Sequence, residues 1–333
     1  MAFIDKIKSQ AKGLRKKIIF PEGEDERILK AVKVAMNRKM IQPVLVGNPD
    51  KIRSKAKLLN VSLKNVEIIN PIKDANFKKY VKVYSRKSKI PEKTAEFIVQ
   101  KPLFFSALEL ANRDVDGMVA GAVSTSGEVI AVCREVIGLQ KNISVPSSYF
   151  IMEISGYKGG EKGALMYADA SVNPNPSPAE LADIAVTSGI TARTLFKWKP
   201  RVAILSFSTK GSAEHPDVCK VIAATRIAQK KAKGIMIDGE LQADAALVES
   251  VAKKKIQGNV GKVAGKANVL IFPDLDAGNI AYKLTQRLAK AAAYGPILQG
   301  FARPVSDLSR GATVEDIVGV ISIVTLLAAR WPQ

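Results

Sequence analysis

Short, continuously apolar runs alternate along the chain with longer segments whose apolar residues recur every three to four positions. The runs at 17–21, 43–47, 66–70 and 117–121 show no strict in-and-out alternation, so they predict strands buried on both faces. The segments at 25–38, 77–87 and 91–113 predict amphipathic helices. A second series follows, with strands at 149–154, 163–167, 201–205, 235–238, 267–272 and 295–300 and a helix over 178–197. Strand and helix in alternation indicate the α/β class, with a parallel sheet covered on both faces. Phe3, Ile4, Ile7, Ala11 and Leu14 fall at helical spacing, and the charges spread among them argue against a signal peptide. The apolar run 317–329 is interrupted by Gly319, Ser322 and Thr325 and is too short to span a membrane, so it reads as a buried helix.

Composition narrows the chemistry. A chain of 333 residues is long enough for two domains. Its two cysteines, Cys133 and Cys219, are isolated, and His215 is the only histidine. Disulfide frameworks, zinc spacings and histidine-based triads are therefore excluded. Proton transfer must fall to carboxylates or lysines. The net charge of +20 suits an anionic ligand. The lysines are dispersed, however, and aromatics do not interleave with them, so no stacking platform for nucleic acid is visible.

Polar, small-residue stretches follow the predicted strands, the place where open α/β sheets bind ligands. Ser208 and Thr209, in the loop at 206–212, have the residue types that cradle a phosphate. Asp274 and Asp276 lie two apart and are able to hold a divalent metal; Asp274 serves equally as the cap of a helix beginning near Gly278. Near the C-terminus, Ser309 and Arg310 precede Gly311, and Thr313 stands where a helix N-cap belongs, with Asp316 three positions on. A guanidinium there can fork onto a phosphate, a hydroxyl can donate to an oxyanion and a carboxylate can take a proton. The same Thr313-x-x-Asp316 spacing is that of a capping box, which only closes a helix end.

Six loops in unbroken order resemble those of the phosphate acetyl/butyryl transferases. They are Ala-Asp-Ala-Ser-Val-Asn-Pro-Asn-Pro at 168–176, Ser-Phe-Ser-Thr-Lys-Gly-Ser-Ala at 206–213, Asp-Gly-Glu-Leu-Gln at 238–242, Phe-Pro-Asp-Leu-Asp-Ala-Gly-Asn at 272–279, Tyr-Gly-Pro-Ile-Leu-Gln-Gly at 294–300 and Asp-Leu-Ser-Arg-Gly at 307–311. The resemblance runs from about residue 17 to 329. It implies two doubly wound α/β domains around a cleft that holds the active site, like the isocitrate and isopropylmalate dehydrogenases, with boundaries at 1–145 plus 303–333 and 146–302. The implied reaction interconverts acetyl-CoA and phosphate with acetyl phosphate and CoA. CoA is a substrate, and no metal or redox cofactor takes part.

A cytoplasmic homodimer is implied too, with no nucleic-acid or membrane partner. Asp316, Ser309 and Arg310 match the family's catalytic residues. Arg86 matches a family arginine that contacts phosphate or CoA, and Thr125, Ser126, Ser208, Thr209 and Arg134 are further candidates for substrate binding. The chain departs from the family at Ala131, where an arginine is usual, with Arg134 one helical turn on. It departs again at Ala170, where many members have cysteine. Propionyl or butyryl transfer is the near alternative. A metal-dependent decarboxylating dehydrogenase and a basic nucleic-acid-binding protein on the same fold are the remote ones.

Overall fold

The computed structural model describes residues 3–232 and 234–331. The chain divides into two compact units, one made of the chain up to Gln140 together with Phe301 onward, the other of Lys141–Gly300.

The first unit opens with α1 (Phe3–Ala11), β1 (Lys16–Phe20), α2 (Glu26–Asn37), β2 (Ile41–Val46), α3 (Pro49–Leu58) and β3 (Glu67–Ile69). Next come α4 (Phe77–Ser88), α5 (Glu92–Val99), α6 (Pro102–Ala111), β4 (Gly117–Val119) and α7 (Ser126–Val136). The sequence predicts one helical stretch over 91–113; the structure breaks it at Lys101. Pro102 lacks an N–H and disfavours helical backbone in the residue before it, so it starts a new helix as its N1 residue.

The second unit contains β5 (Ser147–Glu153), β6 (Ala164–Ala168), α8 (Pro178–Thr194), β7 (Arg201–Leu205), α9 (Pro216–Lys231) and β8 (Met236–Leu241). It ends with α10 (Ala243–Leu247), α11 (Glu249–Lys255), β9 (Val269–Ile271), α12 (Leu275–Leu288) and β10 (Ala292–Gln299). The chain then rejoins the first unit through β11 (Val305–Ser306) and α13 (Val314–Ala329).

In the first unit the strand order is β3-β2-β1-β4-β11, and every pair is parallel. All five carboxyl ends therefore open on one edge. In the second unit the order is β10-β5-β6-β9-β7-β8. Here the expectation of a purely parallel sheet is corrected, because β10–β5 and β5–β6 are antiparallel. The segment between β5 and β6 contains no helix and has glycines at positive φ, Gly156, Gly160 and Gly163. It is too short for a crossover, so the chain must turn back beside itself.

Helix α13 is buried nearly all round, and it packs on α1, α2, β1 and β4. The hydroxyls of Ser322 and Thr325 donate to the carbonyls of Val318 and Ile321 at 2.7 Å each, which lets two polar side chains lie in an apolar core. Gly117 permits the close approach: a Cβ there would meet Val324 Cγ1 at 2.9 Å and Ile18 Cδ1 at 3.1 Å. No helix among the described residues is long and apolar enough to cross a membrane. Gly117→Ala should lower unfolding free energy by roughly 1–3 kcal/mol through overpacking, seen as a lower urea midpoint at unchanged slope; an unchanged midpoint would show that α13 has room to yield.

Candidate active site

Three helices of the first unit begin at the edge where the parallel strands end: α2 after β1, α7 after β4 and α13 after β11. Each N-terminus is closed by its own cap. Asp25 takes the N–H groups of Arg27 and Ile28. Thr125 and Glu128 form a capping box, as do Thr313 and Asp316. Helix N-termini carry partial positive charge, so their convergence favours an anion.

Arg27 ties the three together. Its Nε and Nη2 fork onto the Asp25 carboxylate at 3.1 and 2.9 Å. The same Nη2 donates to the Ala122 carbonyl at 2.7 Å, and Nη1 donates to the Arg310 carbonyl at 2.6 Å and more loosely to that of Ala312 at 3.5 Å. Burial works against the Asp25 carboxylate, yet the hydrogen bonds from Arg27 hold it below the usual range. Glu22 braces the second loop from the other side. Its carboxylate accepts the consecutive N–H groups of Ala122, Val123 and Ser124 at 2.6, 3.0 and 2.7 Å.

On this frame Ser309 and Arg310 stand exposed. The Ala312 N–H donates to the Ser309 carbonyl at 2.8 Å and the Gly311 N–H to Ser309 Oγ at 3.3 Å, which closes the loop as a turn. The Ser309 O–H itself has no acceptor among the described residues and is available to a ligand. The Arg310 guanidinium likewise makes no hydrogen bond among them. It lies close enough to Glu128 to help the Thr125 backbone and hydroxyl hold that carboxyl below its ordinary range. Asp316 is half-buried. Its Oδ2 accepts from Thr313 N at 2.9 Å and Thr313 Oγ1 at 2.7 Å, and Oδ1 takes no partner among the described residues. The cap thus fixes one carboxylate oxygen and leaves the other open.

The remaining expected contacts are placed unequally. Thr125 has its hydroxyl engaged with Glu128 at 2.9 Å. Ser126 donates to Asp307 Oδ2 at 2.5 Å. Arg86 and Arg134 are exposed in the last turns of α4 and α7. The neighbouring Lys87 reaches the Val136 carbonyl at 2.7 Å and so fastens α4 to the end of α7. Ala131 lines a pocket of about 720 Å³, beside Glu22, Lys55, Lys101, Phe104 and Glu135.

In the second unit Ser208 and Thr209 are buried. Ser208 Oγ is bonded to Glu240 at 3.3 Å and Thr209 Oγ1 to Gln242 at 3.2 Å. Glu240 also takes the Gly211 N–H at 2.6 Å. Both hydroxyls hold their own loop in shape. Asp274 Oδ1 accepts the Ala277 N–H at 2.8 Å and caps α12. Glu22 and Arg27 have no counterpart among the residues singled out from the sequence, and Asp307 stands there only as the first residue of the 307–311 loop, with no role. Asp25 opens the predicted helix over 25–38, but nothing in its spacing shows where the next guanidinium points.

Residues 2–325 match the family model described as phosphate acetyl/butaryl transferase. The chain belongs to that family. A phosphate acetyltransferase of Thermoanaerobacterium thermosaccharolyticum is 45% identical over 98% of this chain and 100% of its own length. A phosphotransacetylase structure from Streptococcus pyogenes superposes with a TM-score of 0.91 at 36% identity, covering 98% of each chain. A putative 4-hydroxythreonine-4-phosphate dehydrogenase from Salmonella typhimurium superposes at TM-score 0.54 with 12% identity over 94% of this chain and 99% of its own, a likeness of fold alone.

Arg27→Met should cost roughly 2–3 kcal/mol, because the carbonyls it serves and Asp25 lose a charged donor together. Amide exchange should quicken at 121–125 and 308–313 and stay unchanged at 201–241. The depressed Asp25 pKa makes the pair's contribution full above the ordinary carboxylate range and lost as pH falls through the folded value. The stability gap between variant and wild type should therefore close in acid; a gap independent of pH would separate Arg27 from Asp25.

Proposed function

We propose that the protein is a phosphate acetyltransferase that converts acetyl-CoA and phosphate to acetyl phosphate and CoA, reversibly. The supporting observation is the exposed Ser309–Arg310 turn, braced by Arg27 among three helix N-termini. In the direction of acetyl-CoA synthesis, Asp316 takes the CoA thiol proton on its open oxygen. A thiol with pKa near ~8.5 is mostly protonated at neutral pH, so a positioned base contributes. The thiolate attacks the acetyl carbonyl, Ser309 donates to the tetrahedral oxyanion, and the C–O bond breaks to release phosphate, whose charge Arg310 offsets. Arg86 and Arg134 are cations for the rest of the anionic substrates, and the loop that carries Thr125 and Ser126 shapes their surroundings. The reaction uses no metal or redox cofactor, and chelation should leave turnover intact.

A homodimer in the cytoplasm completes the reading. In its support, α12 leaves Ile280, Leu284 and Leu288 exposed at 55, 51 and 78% on one face at i, i+4 and i+8, the pattern of a helix that awaits a partner. Phosphate-dependent release of CoA from acetyl-, propionyl- and butyryl-CoA, measured side by side, tests the function. Acetyl-CoA should turn over fastest; no phosphate-dependent release from any of the three would overturn the proposal.

Two substitutions divide the roles. Arg310→Ala should lower turnover by about 10²–10³-fold and weaken phosphate binding, with Arg310→Lys recovering only part, since an ammonium lacks the fork. Asp316→Asn keeps an oxygen for the Thr313 cap, so melting temperature should barely move. Turnover should fall by about 10²–10⁴-fold at neutral pH. That loss should shrink towards pH ~9 as the thiol ionises unaided. A lowered melting temperature with normal turnover would reduce Asp316 to a cap.

A further inference from the structure

Asp307 is wholly buried directly after β11, yet no cation pairs with it among the described residues. Its Oδ2 meets the Ser126 hydroxyl at 2.5 Å. Its Oδ1 is buried and makes no hydrogen bond of good geometry among the described residues, although the adjacent Leu308 N–H draws on the carboxylate. The cage around it is tight: Gly121 has φ +100°, and a Cβ there would stand 2.0 Å from Oδ1. The titratable groups that face it are Glu22, from the loop after β1, which repels its charge, and the buried Cys133 thiol on α7. A fully buried carboxylate with one unsatisfied oxygen is costly, whereas a neutral carboxyl in the same place costs far less.

The geometry points to Asp307 as a positioning residue that sets which way the Ser126 hydrogen bond runs, and through it whether Ser126 can donate to a phosphate oxygen. With Asp307 ionised, the Ser126 proton is committed to Oδ2 and only lone pairs face outward. With Asp307 protonated, Oδ2–H donates to Ser126, whose own O–H is then released towards an anion. The inference rests on the phosphate-binding role proposed for this site. Burial raises the Asp307 pKa to about 6, against the pull of Ser126 and the Leu308 N–H. Above that pH, binding of phosphate at this edge draws in one proton from solvent. Phosphate affinity should therefore fall as pH rises through Asp307's range, beyond any change in phosphate's own ionisation.

Asp307→Asn separates the two effects, because its amide N–H donates to Ser126 at every pH while the ligand's own titration is unchanged. Kd for inorganic phosphate, measured by calorimetry between about pH 5.5 and pH 8, needs no turnover. The ratio of wild-type to Asp307→Asn Kd should be near one at the acid end and rise by about tenfold at the alkaline end. Ser126→Ala should bind phosphate more weakly and lose the excess pH dependence, and it carries the test if Asp307→Asn does not fold. A pH-independent ratio, an excess pH dependence that survives in Ser126→Ala, or failure of phosphate to bind at any pH would each overturn the inference. Phosphate binding without acetyl transfer would instead sink the proposed function, and the pH ratio would still decide the part played by Asp307.

Discussion

The guanidinium of Arg27 is the fixed point of the first unit's functional edge. One planar group reaches Asp25 at the start of α2, the Ala122 carbonyl after β4, and the Arg310 and Ala312 carbonyls before α13. Hydrogen bonds from a charged donor contribute roughly 1.5–3 kcal/mol each where water is partly excluded, and a rigid fork loses less entropy on forming them than a flexible ammonium. Without that brace nothing else among the described residues ties the Arg310 backbone to α2. The exposed Ser309 hydroxyl and Arg310 side chain stand on a turn that is hydrogen-bonded from within and from α2, the arrangement that positioning of reactants requires.

Capping completes the frame. Each of the three helix N-termini satisfies one or two of its own N–H groups with Asp25, Thr125 or Thr313, and Glu22 takes three more from the loop after β4. The caps hold their carboxylates in one orientation. For Asp316 this is compatible with chemistry, because the oxygen that closes the helix differs from the one left open. At this edge the helix ends and Arg310 supply the positive character, set among the carboxylates of Glu22, Asp25, Glu128 and Asp316.

Much of the architecture was legible because burial on both faces leaves a plain mark: β1, β2, β4 and β7 are runs of apolar residues, and α13 is apolar on every side. The Thr313–Asp316 box was equally plain, since three-residue spacing alone produces it. Local pattern fails where geometry depends on distant partners. Strand β11 has two residues and no periodicity, and the antiparallel course of β5 and β6 follows from a connection too short to cross over. Ser208 and Thr209 look like a phosphate cradle in sequence but turn inward, Ser208 onto Glu240 of β8 and Thr209 onto Gln242 just after it. Arg27 gave no signal and Asp307 was visible only as the first residue of the 307–311 loop, because the contacts that define their roles lie 283 and 181 positions away.

If Arg27 acts on the reaction, it does so by placing Arg310. A double-mutant cycle on kcat/KM for phosphate-dependent CoA release, using Arg27→Met, Arg310→Ala and the pair, measures that dependence directly. If Arg27 serves chiefly to hold the Arg310 turn, the double variant should be little worse than Arg310→Ala alone, with a coupling of about 1–3 kcal/mol. Losses that simply add would contradict the account and leave Arg27 as a structural tie with no hold on the chemistry.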